Sequence, residues 1–278
     1  MSKYAVMPLS DYDNACDKIR EKTETAEPIK SGEFAGKVED VYNEGIEQGK
    51  NAEWNAFWDA NQQNGNRTNY SYAYWGGGWN KNNFKPKYDI RPNASYGSAE
   101  KLFFQFGSGA TESVDLVELA EQQGIELDFS QVREFMSTFA STNISRLGVI
   151  DMRNATTCGN TFYQYYPYAL RAIEKIISAE TTQWLTNSFG SCYNLKEVRF
   201  EGVVARSLEF NESGGLSKAT IQSLVSVLSD TTIGFSITFS RGAVRRAFAT
   251  SEGALDGDTS DEWLNLIATK PNWTFKFA

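Results

Sequence analysis

The chain contains no histidine, and it has only three cysteines and six prolines in 278 residues. Without histidine there is no Ser-His or Cys-His nucleophile pair and no His-ligated zinc, and the most common general base is missing. Cys16, Cys158 and Cys192 are odd in number and form no Cys-x-x-Cys pair. We therefore expect small buried thiols, no metal site and no cofactor.

Positive charge and long apolar runs are also scarce. The formal net charge is −8 and the pI is near 4.9, which disfavours a nucleic-acid partner because phosphate contacts need a basic face. No segment approaches the roughly 18 apolar residues of a membrane span, and no long apolar stretch of the kind found in signal peptides follows the first lysine. The sequence predicts no membrane insertion, no signal peptide and synthesis in a cytoplasm.

One class of catalysis needs no histidine, because glycoside hydrolysis requires only two carboxylates. Asp115, Glu126, Asp128 and Asp151 lie next to predicted strands. However, 35 acidic residues scattered over the chain will place some pairs at a suitable distance by chance. We therefore expect a protein that is not an enzyme.

The most informative stretch is Ser188–Glu201, where Leu195, Val198 and Phe200 have the spacing of a strand. This pattern is typical of one turn of a leucine-rich-repeat solenoid, which needs neighbouring turns to bury its apolar face. Degenerate versions of the pattern occur on both sides: Phe135–Phe139 with Arg146–Asp151, Tyr165–Tyr168 with Ala172–Ile177, Ser207–Phe210 and Phe235–Phe239. The alternative is a set of ordinary alternating strands in a mixed α/β domain.

The spacing of the apolar positions supports repeats. Leu147, Ile173 and Leu195 lie 26 and 22 residues apart, within the roughly 20–29 residues of leucine-rich repeats. Towards the C-terminus we predict helices over Leu216–Leu228 and Gly242–Phe248, a helix opened by a capping box at Thr259–Glu262, and a closing strand over Trp273–Phe277. The predicted fold class is α+β: N-terminal helices and an aromatic-rich knob, followed by an irregular leucine-rich-repeat solenoid with a helix/strand C-terminal cap.

Three segments follow from these patterns. We predict a helical attachment and oligomerisation segment over residues 1–63, an aromatic Gly/Asn-rich knob over 64–98, and the solenoid with its cap over 99–278, with its first strand at Leu102–Phe106. A narrow apolar or small-residue stripe marks the long N-terminal helix: Phe34, Val38, Val41, Gly45, Gly49 and Ala52. Two helices could approach closely along it, which favours self-association, although a monomer could pack the same stripe on its own core.

Aromatic side chains dominate the knob. Tyr72, Tyr74, Trp75 and Trp79 lie in a Gly- and Asn-rich setting and could stack on sugars, so a glycan-binding site is one interpretation. The other is that these rings form the core of the knob.

Two groups of sequence segments resemble known proteins. Ala15–Thr23 with Glu27–Phe34 resembles the N-terminal segment of tail-associated proteins from phages and prophages of gut Firmicutes. Phe57–Asn69 with Phe84–Pro92, and the C-terminal stretch Leu216–Phe277, are similar to leucine-rich-repeat proteins of the bacterial surface-antigen type encoded in such prophages.

The resemblance implies a non-enzymatic phage tail, baseplate-tip or tail-fibre protein located in the virion. Its implied partners are further copies of itself (a trimer is favoured, a dimer is allowed), other tail or baseplate proteins, and a glycan or protein on the host surface. A bacterial leucine-rich-repeat adhesin or protein-interaction module outside a virion is the second hypothesis. A carbohydrate-binding or carbohydrate-active protein is the third.

Overall fold

The computed structural model describes residues 74, 76, 78–79, 81–82, 84, 86, 89–92, 97–166, 168–231, 234–248 and 260–278. The chain divides into two units, residues 1–63 and residues 64–278, and every element described below belongs to the second. The predicted N-terminal helices and the stripe from Phe34 to Ala52 lie outside the described residues and stay predictions.

Four parallel strands form sheet 1, and their order in space follows their order in the chain. They are β1 (Val114–Asp115), β2 (Ile144–Asp151), β3 (Ala172–Ser178) and β4 (Glu197–Gly202). Each of the three longer strands buries apolar side chains, three residues apart on β2 and β3 and two apart on β4: Leu147, Ile150, Ile173, Ile176, Val198 and Phe200. Because parallel strands cannot be joined by a tight turn, a longer connection leads from each strand to the next.

The register of sheet 1 agrees with one predicted repeat spacing and corrects the other. Leu147 pairs with Ile173, as the sequence predicts, but the partner of Ile173 on β4 is Val198. Leu195 is buried just before that strand. The spacing between paired residues of β3 and β4 is therefore three residues longer than the apolar pattern indicated, because the loop before β4 also buries a leucine.

Three further parallel strands form sheet 2, again in chain order. They are β5 (Leu208–Phe210), β6 (Phe235–Phe239) and β7 (Trp273–Phe277), and all three were predicted as strands. The described residues therefore have a mixed α/β fold with two parallel sheets.

The described helices are α1 (Leu116–Gln123), α2 (Lys218–Ser226), α3 (Arg241–Phe248) and α4 (Asp261–Ala268), with a 3-10 helix at Thr186–Phe189. The sequence predicts the last three α-helices but not α1. Asp115 caps α1, since its Oδ1 accepts from the N–H groups of Val117 and Glu118 at 3.0 and 3.1 Å. The cap of α4 is Ser260, whose hydroxyl accepts from the N–H of Trp263 at 3.2 Å.

Residues 100–109 do not form the predicted strand at Leu102–Phe106. They form consecutive turns, because Lys101 and Gln105 have left-handed φ angles of 52° and 57° that interrupt an extended backbone. These turns still pair with the following segment: the N–H of Phe103 donates to the carbonyl of Thr138 at 2.8 Å.

A column of seven buried rings, which we call the ring ladder, connects the turns to sheet 2. Neighbouring rings have centroids 4.5–6.1 Å apart and planes within 28° of parallel: Tyr74, Phe103, Phe139, Phe162, Phe189, Phe210 and Phe239. Such contacts contribute about 0.5–1.5 kcal/mol each beyond the area they bury. The ladder therefore ties segments that are distant in sequence into one continuous core.

Hydroxyl side chains beside the ladder add a second set of connections. Thr138 and Thr161, each directly before a ladder phenylalanine, donate to the carbonyls of Ala99 and Phe135 at 2.8 and 3.0 Å. Ser188, before Phe189, donates to the carbonyl of Cys158. These buried hydroxyls are satisfied by backbone of an earlier segment, as buried polar groups must be.

Helix α2 covers the outer edge of β4. The hydroxyl of Thr220 accepts from the N–H of Val198 at 2.9 Å and donates to the carbonyl of Lys196 at 3.0 Å, and Ser223 accepts from the N–H of Phe200 at 3.2 Å. Two side chains thus occupy the backbone groups that a fifth strand would use. Covering an edge in this way prevents strand addition by another chain.

Candidate binding site

The structure describes two of the four aromatic residues predicted to bind a glycan. Tyr74 is only 2% exposed and stacks on Phe103 at 5.5 Å, and the half-buried Trp79 meets it edge-on at 5.2 Å. Tyr74 is therefore a core residue, the alternative that the sequence left open, and its ring has no face available for a sugar. Tyr72 and Trp75 lie outside the described residues.

Exposed aromatic surface occurs instead on two loops that precede β3 and β4. Among the described residues, six large apolar or aromatic side chains are exposed: Val149, Tyr165, Tyr166, Leu185, Tyr193 and Leu264. Half of them are tyrosines, and Tyr165 and Tyr166 are the most exposed of all, at 70% and 67%.

Ring contacts join the two loops. Tyr168 meets Tyr166 at 6.1 Å and Tyr193 at 5.0 Å, both with planes 84° apart. We call Tyr166, Tyr168 and Tyr193 the tyrosine cluster. Perpendicular contacts of this kind are the favoured geometry for aromatic pairs, because the positive edge of one ring meets the negative face of the next.

The scaffold below fixes the position of the cluster. Ala172 pairs with Glu197 at the start of β3 and β4, so the loops that lead into these strands lie side by side. The side-chain amide of Asn194 donates to the carbonyl of Tyr168 at 2.7 Å and links the loops directly. Tyr168 has a left-handed φ of 55°, a conformation that costs a non-glycine residue free energy and persists only where its surroundings hold it.

The carboxylate of Glu212 holds one member of the tyrosine cluster by a hydrogen bond. Glu212 accepts from the hydroxyl of Tyr193 at 2.8 Å through Oε1, and from the N–H and hydroxyl of Ser191 at 2.6 and 2.9 Å through Oε2. The Tyr193 hydrogen bond is the main cause that lowers the pKa of Glu212, and the same bond raises the pKa of Tyr193. The carboxylate is therefore ionised at neutral pH, and it fixes the orientation of the Tyr193 ring.

A second feature is an open groove of about 490 Å³ near the junction of the 3-10 helix with sheet 2. Leu185 and Phe235 supply apolar lining, and the guanidinium of Arg206 lies 5.4 Å from the centroid of the Phe235 ring. Arg206 also donates to the carbonyl of Ala205 at 2.7 Å and to the side chain of Gln183 at 3.3 Å. Its charge is engaged in these local contacts, so the groove offers less for recognition than the tyrosine cluster.

The four candidate carboxylates have structural partners. Asp115 caps α1 and pairs with Arg146 at 3.3 Å, and Asp151 pairs with Arg153 at 2.6 Å. Glu126 pairs with Arg91, and Asp128 accepts from the N–H of Ser130 at 2.8 Å. Each carboxylate is therefore accounted for by capping, turn formation or ion pairing.

The two described thiols are buried, as the sequence predicts, whereas Cys16 lies outside the described residues. Burial raises the pKa of the Cys158 thiol to about 12 and also raises that of Cys192. Because the thiolate is the nucleophile, these two thiols are unreactive at neutral pH. Within the described ranges, no group of three acidic or cysteine side chains is arranged to hold a metal ion.

No family model, curated protein or solved structure matches the chain. None of the helices in the described part of the chain is long and apolar enough to cross a membrane.

The sequence pattern predicts that Tyr165–Tyr168 belongs to a repeat, but it did not lead us to predict a binding site there. A usable signal was present, because three of these four residues are tyrosines and the other is Pro167. A strand buries only alternate side chains, so adjacent tyrosines beside a proline cannot all point into the core.

Proposed function

We propose that the chain is a non-catalytic attachment protein that binds a cell surface through the tyrosine cluster. The observation that carries the proposal is that exposed tyrosines are concentrated on the two loops before β3 and β4. A hydrogen bond and a ring contact join these loops, and sheet 1 supports them. Tyrosine combines a large apolar ring with a hydrogen-bonding hydroxyl and has few rotatable bonds, so it contributes much binding energy at little entropic cost. Exposed aromatic surface with no role in the core is a mark of an interaction site.

We also propose that the described unit is an irregular leucine-rich-repeat solenoid with a helix/strand cap. Two parallel sheets in chain order, a continuous ring ladder and backbone pairing between successive turns support this interpretation. Repeats of this kind offer a rigid surface whose outward residues vary without disturbing the core. The tyrosine cluster is such a set of outward residues.

The biological setting that we propose is a phage tail, with the chain as a tail, baseplate-tip or fibre component that contacts the host. This setting is supported by the resemblance of the N-terminal and C-terminal sequence segments to prophage tail-associated proteins. The N-terminal segment would assemble a homotrimer and contact other tail proteins. A free-standing bacterial adhesin would use the same surface without a virion.

Envelope binding tests the attachment role. The purified chain is mixed with cell envelopes from a panel of gut Firmicutes, and the bound fraction is measured against protein concentration. We expect Tyr166→Ala to weaken binding about tenfold or more, the range of an aromatic hot spot. Leu264→Ala is the matched control, since Leu264 is exposed but lies on α4. Equal binding by wild type and Tyr166→Ala contradicts the proposal.

Solution mass tests the assembly role. We expect a trimer for the full chain by light scattering, and dissociation when Gly45 and Gly49 are both replaced by leucine, because the larger side chains prevent close helix approach. Asn43→Leu, a change of the same kind on the opposite side of the predicted helix, should leave the trimer intact. A monomeric wild type would contradict the trimer and favour the free-standing module.

A further inference from the structure

We infer that the tyrosine cluster recognises an uncharged oligosaccharide, with the rings stacking on sugar faces and Glu212 excluding anionic ligands. The inference rests on the proposed attachment role and names the ligand class of the same site. Three independent features of the cluster carry it: its chemical composition, its area and its fixed charge.

The composition of the cluster suits a sugar. All three members are tyrosines, and the polar side chains linked to them are Asn194 and Glu212. A sugar ring presents a face of C–H groups and a rim of hydroxyls, so it needs an apolar plane beside hydrogen-bonding groups. The core of a protein–protein interface is instead enriched in Met and Arg as well as aromatic residues.

The area of the cluster alone is well below one side of a standard protein interface. Tyr166 is 67% exposed, Tyr193 is 47% exposed, and Tyr168 is half-buried. Since an aromatic side chain buries about 150–250 Å² when fully covered, the cluster offers on the order of 300 Å². A standard protein interface needs about 800 Å² on each partner. A short oligosaccharide fits a contact area of the size that the cluster offers.

The fixed charge beside the cluster is negative. Glu212 is held by three donors from Tyr193 and Ser191, and a carboxylate has about four acceptor positions. One position therefore remains for a donor from the ligand, such as a sugar hydroxyl. A phosphate, sulfate or uronate at the same place would meet a like charge at short range, where salt does not screen it.

The first experiment distinguishes ligand classes on intact envelopes. Wild type and Tyr166→Ala are bound to envelopes that were oxidised with periodate, which cleaves sugar diols, or digested with protease. We expect periodate to remove the Tyr166-dependent binding and protease to leave it within about twofold. Loss on protease digestion with survival after periodate would overturn the glycan inference while the attachment role stands. Binding that never depends on Tyr166 would overturn both.

The second experiment uses defined oligosaccharides to test whether Glu212 excludes anionic ligands. Hexasaccharides of N-acetylglucosamine and of glucose serve as neutral probes, and a galacturonate hexasaccharide serves as the anionic one, all titrated calorimetrically against the full chain. We expect a neutral probe to bind at least tenfold tighter than the anionic probe.

The variant Glu212→Gln keeps one of the two acceptor oxygens and removes the charge. It should therefore reduce the ratio of neutral-probe affinity to anionic-probe affinity by at least threefold. A merely structural role for Glu212 would weaken both kinds of probe alike and leave the ratio unchanged. Equal or tighter binding of the anionic probe by wild type, or neutral binding that Tyr166→Ala does not weaken, overturns the inference. Leu264→Ala is the surface control, and unchanged thermal unfolding verifies that Tyr166→Ala retains the fold.

Discussion

Phe189 and Phe210 stack with ring centroids 4.5 Å apart and planes 28° from parallel. Phe189 ends the 3-10 helix, and Phe210 ends β5 at the edge of sheet 2. This contact is the shortest in the ring ladder, and it joins the 3-10 helix between β3 and β4 to the second sheet. The two sheets therefore share one core through a pair of rings 21 residues apart in the chain.

Removing the Phe189 ring should strongly destabilise the fold. Phe189 is fully buried and contacts Phe162, Trp184 and Phe200 as well as Phe210. We expect Phe189→Ala to lower the free energy of unfolding by about 3–5 kcal/mol, the usual cost of a large core truncation. Denaturant unfolding measures the change. Tyr165→Ala, an exposed aromatic truncation, should cost less than about 0.5 kcal/mol. Equal costs would show that the ladder is not a core.

Gly202 is required by a close approach of two strand ends. Its φ is +83°, and a Cβ at this position would lie 2.0 Å from the carbonyl oxygen of Ser178. We expect Gly202→Ala to lower the free energy of unfolding by about 2 kcal/mol or more, since both the left-handed backbone and the overlap must be relieved.

The matched control is Gly214→Ala. A Cβ on Gly214 would have its nearest contact at 3.6 Å, with the hydroxyl of Ser240. This is an ordinary contact, so thermal unfolding should change little. A tolerated Gly202→Ala would contradict the strand geometry at the end of β4.

The hydroxyl of Thr220 should stabilise the edge of sheet 1. Thr220→Val keeps the shape of the side chain but leaves the N–H of Val198 without its acceptor, whereas the carbonyl of Lys196 still accepts from the N–H of Ser217 at 2.9 Å. We expect a loss of about 1–3 kcal/mol in the free energy of unfolding, as for buried groups left unsatisfied. Ser226→Ala is the control, because the exposed Ser226 bonds only to the carbonyl of Ser223 within its own helix. Similar small effects for both variants would indicate that α2 does not cap the edge.

The anchoring of Glu212 predicts a pH dependence with a defined sign. Its pKa is lowered in the folded protein, chiefly by the hydroxyl of Tyr193, relative to about 4.3 for an unfolded glutamate. The stabilisation is therefore present above pH 4.3 and is lost as the pH falls through the folded pKa. We expect the stability difference between wild type and Glu212→Gln to shrink over this acidic range.

Tyr193→Phe provides the internal control for this titration, since it removes the main donor to Glu212 and keeps the ring. The titration midpoint of Glu212, followed by NMR, should move up towards the ordinary value. A midpoint that does not respond to Tyr193→Phe would contradict the assigned cause of the shift.

The strands were predictable where apolar residues alternate and one face is buried. The pattern of Phe235–Phe239 and Trp273–Phe277 predicted β6 and β7 with the observed bounds. In α2, Ile221, Leu224 and Val225 occupy the predicted buried face. In these elements, local periodicity and tertiary burial coincide.

Other features depend on contacts that no local pattern records. Lys101 and Gln105 adopt left-handed φ angles because the turns pair with the segment after Glu134, so an apolar run that favours a strand becomes a series of turns. The tyrosine cluster likewise depends on the β3–β4 register, which brings Tyr168 to Tyr193 across 25 positions of the chain. The sequence shows where the tyrosines are in the chain, but it does not show that their rings are in contact.

Nitration of exposed tyrosines tests the proposed binding surface most directly, because it uses the chain without any substitution. Wild-type protein is treated with tetranitromethane alone and when bound to envelopes, and nitrated peptides are quantified by mass spectrometry. Tyr166 is the main reporter, since the hydrogen bond to Glu212 raises the pKa of Tyr193 and reduces its reactive phenolate. We expect Tyr166 to be nitrated in the free protein and protected in the bound protein, with the buried Tyr74 unmodified in both. Equal nitration of Tyr166 in the free and bound protein would contradict the assignment of the tyrosine cluster as the binding site.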